Sequence, residues 1–231
     1  MKHLSTAIIT IALLSTPLAI WLEKNNYSIW NNQLVLHELQ PEPNRHTLVR
    51  SEGKYLPRII EQNLTLSSSE GPFLISGTIN IQPTATLTIE PGTQILAHEF
   101  GQIINQGVLV INGTKQQPVT ISTNELHPLN QTWSGIVSTP QSTTSITNAH
   151  IQHASPAITC QTSSTVSINN SLIEQGNLGV FSESQSCNVT DSIIKSLGDG
   201  VIYATTEPDL SNTTINAHAT TIKKITNRDI L

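Results

Sequence analysis

The second half of the chain repeats one pattern of apolar and polar positions every 21 or 22 residues. The four copies begin at Ser134, Pro156, Leu178 and Gly200. Each copy holds a small residue followed by an aliphatic one, then an aliphatic residue two positions before Asn or Asp, and finally an isoleucine. The final isoleucines are Ile151, Ile173, Ile194 and Ile215.

A unit of this length contains two or three very short strands and cannot bury its own apolar side. Wound into a coil and stacked on its neighbours, it buries a continuous aliphatic column with about 4.8 Å between coils. The pattern therefore predicts an all-β solenoid of about seven coils.

The polar position of the repeat predicts a turn. It is occupied by Asn148, Asn170, Asp191 and Asn212. Asn and Asp tolerate left-handed backbone, and a stacked Asn amide can hydrogen-bond to the next coil as a ladder. We expect these four residues to have a structural role.

The first half continues the alternation less regularly. Its alternating apolar residues are Ile79, Ile81, Leu87, Ile89, Val108, Val110, Val119 and Ile121. The segments ATLTIEPGTQI, INGT, PVTIST and WSGI, followed by the repeats, resemble the right-handed parallel β-helix superfamily with the pectate-lyase-like fold. The resemblance covers about residues 60–220 and is closest to exported β-helix repeat proteins.

The superfamily includes polysaccharide lyases, hydrolases and epimerases, but their motifs are missing from this sequence. Such enzymes use clustered Asp residues with Arg or Lys, whereas residues 59–222 contain no Arg and only two cations, Lys115 and Lys195. Glu174 and Lys195 should stack on adjacent coils as a surface ion pair, worth at most about 1 kcal/mol. For an enzyme with a non-standard site, the acids to consider are Glu174, Asp191 and Asp199.

We therefore expect a non-catalytic module, without cofactor or metal, that binds a glycan or a protein at the cell envelope or surface. A polysaccharide-active lyase, hydrolase or epimerase is the alternative, and a structural spacer is a third reading. The net charge of −5 and the pI near 5.9 argue against nucleic-acid binding.

A candidate binding stripe follows the small-aliphatic pair by one position. Its members are Val137, Thr159, Phe181 and Ile202. If the preceding aliphatic residues point inward, this column points outward and forms an apolar surface for a partner or a sugar ring. Two other interpretations remain open. Either the strand alternation is the reverse, so that these four residues point inward, or a terminal segment covers the stripe.

The two cysteines and two nearby histidines are the other candidate residues. Cys160 and Cys187 flank the same corner of adjacent coils, which allows a disulfide or two buried thiols. His150 should point outward. We interpret His153 as a polar residue at a coil end, in a column with Gln175, Ser196 and Ala217, because a strand does not bring two such histidines to one metal.

The N-terminus predicts export. Lys2 precedes an uncharged apolar run at residues 4–22, which indicates an N-terminal hydrophobic helix that serves as a cleaved signal or as a membrane anchor. We expect residues 1–24 to form this segment, 25–58 a stalk, and 59–231 the β-helix. The protein would then be periplasmic or extracellular.

Overall fold

The computed structural model describes residues 27–30, 33–36, 52–124 and 133–225. The expected N-terminal hydrophobic helix lies outside these residues. Within the part of the chain that is described, no helix is long and apolar enough to cross a membrane.

The chain divides into two units, Met1–Leu48 and Val49–Leu231. In the first unit, strands β1 (Tyr27–Trp30) and β2 (Gln33–Leu36) form an antiparallel hairpin. This hairpin falls in the segment that the sequence predicts as a stalk.

The second unit is a parallel β-solenoid whose strands are two to eleven residues long. Its first strands are β3 (Lys54–Tyr55), β4 (Ile59–Ile60), β5 (Leu64–Leu66), β6 (Phe73–Ile75), β7 (Thr78–Ile81), β8 (Thr86–Ile89), β9 (Gln94–Ala97), β10 (Gln102–Asn105), β11 (Val108–Asn112) and β12 (Val119–Thr123). The later strands are β13 (Ile136–Ser138), β14 (Thr143–Thr147), β15 (Ala149–Gln152), β16 (Ile158–Cys160), β17 (Thr165–Asn169), β18 (Leu172–Ser182), β19 (Ser186–Thr190), β20 (Ile193–Tyr203), β21 (Thr214–Ala217) and β22 (Ile222–Lys224).

Each full coil contributes a strand to each of three sheets. The first sheet contains β4, β7, β10, β13 and β16, and the second contains β5, β8, β11, β14, β17 and β19. The third contains β3, β6, β9, β12 and β15. Strands β18 and β20 run from the third sheet into the first, while β21 and β22 add the last strands to these two sheets. The predicted all-β solenoid of about seven coils is confirmed.

The repeat aligns in space as it does in sequence. Ile151, Ile173, Ile194 and Ile215 occupy one column of the third sheet, and the first three are buried. Ile146, Ile168 and Val189 form the matching column of the second sheet and are fully buried. The core is thus a stack of aliphatic rows, each shielded from water by the coils above and below it.

Two expectations about individual positions need correction. The solenoid strands start at Lys54 in β3, rather than at residue 59. In β11, Val108 and Val110 face outward, while Leu109 and Ile111 enter the core. The residues on both faces of this strand are apolar, so hydrophobicity alone does not distinguish its outer face from its inner face.

The four polar turn residues all have left-handed backbone, with φ between 45° and 54°. The expected amide ladder forms at one step, where Asn212 Nδ2 donates to Asp191 Oδ1 over 3.0 Å. Asn148 instead donates to the carbonyl of Gly113, and Asn170 donates to its neighbour Asn169. The turn geometry is therefore general, whereas the side-chain ladder is local.

A disulfide joins Cys160 in β16 to Cys187 in β19, with their Cα atoms 6.1 Å apart. Both side chains are buried. The bond connects the first sheet to the second inside the solenoid, one coil apart.

The left-handed turn gives a stability test at Asn170. Asn170→Val should cost about 1–2 kcal/mol in the free energy of unfolding, because a β-branched residue is strained at positive φ. Asn170→Gly loses the same side-chain hydrogen bond but relaxes the backbone, so its cost should be smaller. Urea denaturation measures both, and equal losses would contradict the assignment.

The disulfide gives a second test. Replacing Cys160 and Cys187 together by Ser should lower the free energy of unfolding by about 3 kcal/mol, since the bond closes a loop of 27 residues in the unfolded chain. Wild-type protein unfolded with reductant should match the double variant. An unchanged denaturation midpoint would mean that the bond does not constrain the unfolded chain.

Candidate functional site

The outer face of the third sheet brings together a group of polar side chains. Ile173 and Ile194 point into the core, so their neighbours Glu174 and Lys195 point outward. The register pairs Glu174 with Lys195 and Lys195 with Asn216 on three successive rungs. These three side chains form a row along the solenoid axis.

Glu174 is the centre of this cluster. One carboxylate oxygen is 2.8 Å from His150 Nε2 and accepts from Gln152 Nε2 over 3.3 Å, while the other accepts from Lys195 Nζ over 3.3 Å. The Glu174 side chain is only 18% exposed, whereas that of Lys195 is 50% exposed. The predicted Glu174–Lys195 pair is therefore present, and it belongs to a larger network.

The surroundings of Glu174 favour its charged form. Partial burial raises the pKa of the carboxyl, but hydrogen bonds to His150 and Lys195 and electrostatic interactions with them outweigh this effect. The net result is a pKa below the ordinary value. Glu174 is consequently an ionised carboxylate at neutral pH.

A cleft of about 520 Å³ opens beside the cluster. Half-buried Leu197 contributes apolar surface to it, and Ile215, whose side chain packs against the core, borders it. Lys195, Asn216 and His218 line it with exposed polar side chains. Apolar lining with a few convergent polar groups is the usual character of a small-ligand site.

The two histidines have different positions. His150 lies in β15 and faces outward toward Glu174. His153 follows the end of β15 with a φ of 59°. Among the described residues there is no group of three His, Cys, Asp or Glu side chains that could hold a metal.

The sequence pattern predicts His153, Gln175, Ser196 and Ala217 in one column, and the assignment of Gln175 to this column is wrong. Ser196 pairs with Gly176 rather than with Gln175, because β18 changes register between Glu174 and Gly176. A Cβ on Gly176 would come within 1.8 Å of the Ala154 carbonyl oxygen. This close approach requires glycine, and Gln175 immediately before it is the extra residue of the irregularity, at positive φ.

The predicted stripe lies on a different sheet. Its four members form one column of the first sheet: Val137, Thr159, Phe181 and Ile202. They alternate with buried aliphatic residues and are themselves half-buried, so the column points outward. The stripe and the cleft are therefore separate surfaces of the solenoid.

The three acids considered for an enzyme are not brought together. Asp191 occupies a turn after the second sheet. Asp199 pairs with Leu178 in the long strands, and its carboxylate accepts from the Thr220 backbone. Glu174 stands in the third sheet with its own partners.

Sequence reasoning missed the contributions of Gln152, Asn216 and His218. The spacing of the repeat contained a signal for the first two, since they lie one coil from Glu174 and from Lys195, respectively. The cleft beside them follows from the side chains that surround the last coils and has no counterpart in the repeat pattern.

Comparison with known families finds a match in the first part of the solenoid. Residues 58–163 match a family model described as a pectate-lyase like beta helix domain. No curated protein and no solved structure matches the chain. The matched residues contain the first coils and His150, whereas Glu174, Lys195 and Asn216 follow them.

The lowered pKa of Glu174 predicts a pH-dependent contribution to stability. Ionised Glu174 stabilises the fold fully at pH values above the ordinary glutamate pKa of the unfolded chain. This contribution is lost as the pH falls through the lowered pKa of Glu174 in the folded protein. Glu174→Gln should therefore be less stable than wild type by about 1 kcal/mol at pH 7, and the difference should close at an acidic pH below the lowered pKa of Glu174. Urea unfolding at both pH values measures this, with the exposed Glu99→Gln as control. A constant difference would contradict the assignment.

Proposed function

The chain belongs to the right-handed parallel β-helix superfamily, and from this premise we propose that its solenoid is a non-catalytic module that binds a neutral glycan in the cleft beside Glu174. The observation that carries the proposal is the in-register row of Glu174, Lys195 and Asn216 along one wall of a cleft with apolar lining.

The chemistry of the cleft suits a sugar. A sugar ring presents C–H groups on its faces and hydroxyl groups around its rim. Leu197 offers apolar contacts to the C–H groups, while the Asn216 amide and the Lys195 ammonium offer hydrogen bonds to the hydroxyl groups. Glu174 holds Lys195 in place, which reduces the entropy lost on binding.

The charge balance favours a neutral ligand. The positive charge of Lys195 is compensated by the carboxylate of Glu174 at 3.3 Å. A polyanionic chain prefers several Arg or Lys side chains, and Lys195 is one of only two such residues in residues 59–222. Neutral hydroxyl groups require no such excess of positive charge.

The state of Glu174 argues against catalysis. A glycosidase needs a carboxylic acid with a raised pKa and a second carboxylate within about 5–9.5 Å. Glu174 has a lowered pKa, and both of its oxygens accept hydrogen bonds from neighbouring side chains. Asp191 and Asp199 belong to other parts of the coil.

We place this module outside the cytoplasm, in the periplasm or the extracellular space, with residues 4–22 as a cleaved signal or a membrane anchor. The buried Cys160–Cys187 bond supports this location, because disulfides persist in oxidising compartments.

Native gel electrophoresis of the full-length protein through neutral and acidic polysaccharides tests the proposal. We expect neutral glucans or galactomannans to retard the wild type, and polygalacturonate to leave its mobility unchanged. Lys195→Ala and Asn216→Ala should each weaken retardation by about tenfold, corresponding to about 1.4 kcal/mol. Lys115→Ala removes an exposed lysine far from the cleft residues in sequence and should behave like wild type.

Three outcomes would contradict the proposal. If no neutral polymer retards the protein, the proposal that the cleft binds a neutral glycan is wrong. Loss of retardation in Phe181→Ser, with none in Asn216→Ala, would move binding to the stripe. Recovered polymers that had become shorter would show that the protein is an enzyme.

A further inference from the structure

The outer face of the second sheet has a composition unlike that of the other two. Its outward side chains are all short and uncharged: Thr65, Thr86, Thr88, Val108, Val110, Asn112, Thr143, Ser145, Thr147, Thr165, Ser167, Asn169, Ser186, Asn188 and Thr190. Threonine is the commonest residue among them. The outer faces of the first and third sheets, by contrast, contain Phe181, Glu174 and Lys195.

These side chains form a two-dimensional array, which we call the threonine face. One column runs through Thr86, Val108, Thr143, Thr165 and Ser186. The next column, two residues along each strand, runs through Thr65, Thr88, Val110, Ser145, Ser167 and Asn188. Neighbouring positions are about 4.8 Å apart between rungs and about 6.6 Å apart along a strand.

The array has a rigid support. Directly behind it, the inward side chains Leu109, Ile146 and Ile168 are fully or almost fully buried. The Cys160–Cys187 bond ties the last strand of this sheet to the first sheet. Short side chains on such a backbone lose little conformational entropy when they contact a surface.

The spacing resembles that of hydrogen-bonded water. Two water molecules bound to a common third one at the tetrahedral angle are about 4.5 Å apart, for O–H···O lengths of about 2.75 Å. This distance is close to the rung spacing. The axial repeat of the same tetrahedral lattice is about 7.3 Å, which is about 0.7 Å longer than the spacing along the strand.

The chemistry selects ice over other ordered surfaces. Threonine combines a hydroxyl that bonds to lattice water with a methyl group that adjacent water must surround. A crystalline polysaccharide would favour aromatic side chains that stack on sugar rings, and the outward side chains of this sheet include none. A charged surface would require charged partners. We propose that the threonine face binds the surface of ice, a function separate from glycan binding in the cleft.

Ice affinity is tested with the full-length protein by nanolitre osmometry, which measures the gap between melting and freezing temperatures. We expect this gap to grow with protein concentration. Thr165→Tyr, which places a bulky ring at an exposed position of the face, should abolish it. Thr214→Tyr is the matched control, because Thr214 is an exposed strand threonine on the third sheet and should retain the full effect.

Circular dichroism and the unfolding midpoint establish that both variants fold. A wild-type protein that leaves ice growth unchanged would overturn the proposal, as would equal losses in Thr165→Tyr and Thr214→Tyr. Adsorption to crystalline cellulose without any effect on ice would also overturn it, in favour of a sugar lattice. Glycan retardation in native gels should be unchanged in Thr165→Tyr, so the two functions can fail independently.

Discussion

Parallel pairing between equivalent positions of successive coils is the constraint on which the rest of this structure depends. It places Ile151, Ile173 and Ile194 in one buried column, where each row shields the next from water. The same pairing orders every outward side chain. The same outward side chain therefore recurs on successive rungs only where the sequence repeats that residue.

This register separates three chemistries on three faces. The first sheet presents a half-buried, mostly apolar column that includes Phe181, and the second presents short, uncharged side chains, most of which carry a hydroxyl group. The third presents a charged network around Glu174 beside a cleft. Because the faces share one core, each can vary without altering the packing that defines the fold, and function must be argued face by face.

The fold could be predicted because the repeat itself specifies it: period, inward isoleucines and left-handed Asn turns all agree. Two kinds of detail were beyond this reasoning. In β11, Val108 and Leu109 are both apolar, so the pattern did not distinguish the two faces. At Gly176, which lies close to the Ala154 carbonyl, the register changes by one residue, whereas a repeat alignment assumes a constant register. The pair Glu174–Lys195 was predictable from spacing alone, but the cleft depends on Leu197 and His218, which no repeat column includes.

Hydrogen–deuterium exchange of the full-length protein, with and without a neutral polysaccharide that retards it, shows whether a glycan binds beside Glu174. We expect added protection to be concentrated in β21 and in the adjoining part of β20, around Lys195 and Asn216. Protection confined to the strands that carry Val137 and Thr159 would contradict it, because binding would then lie on the first sheet.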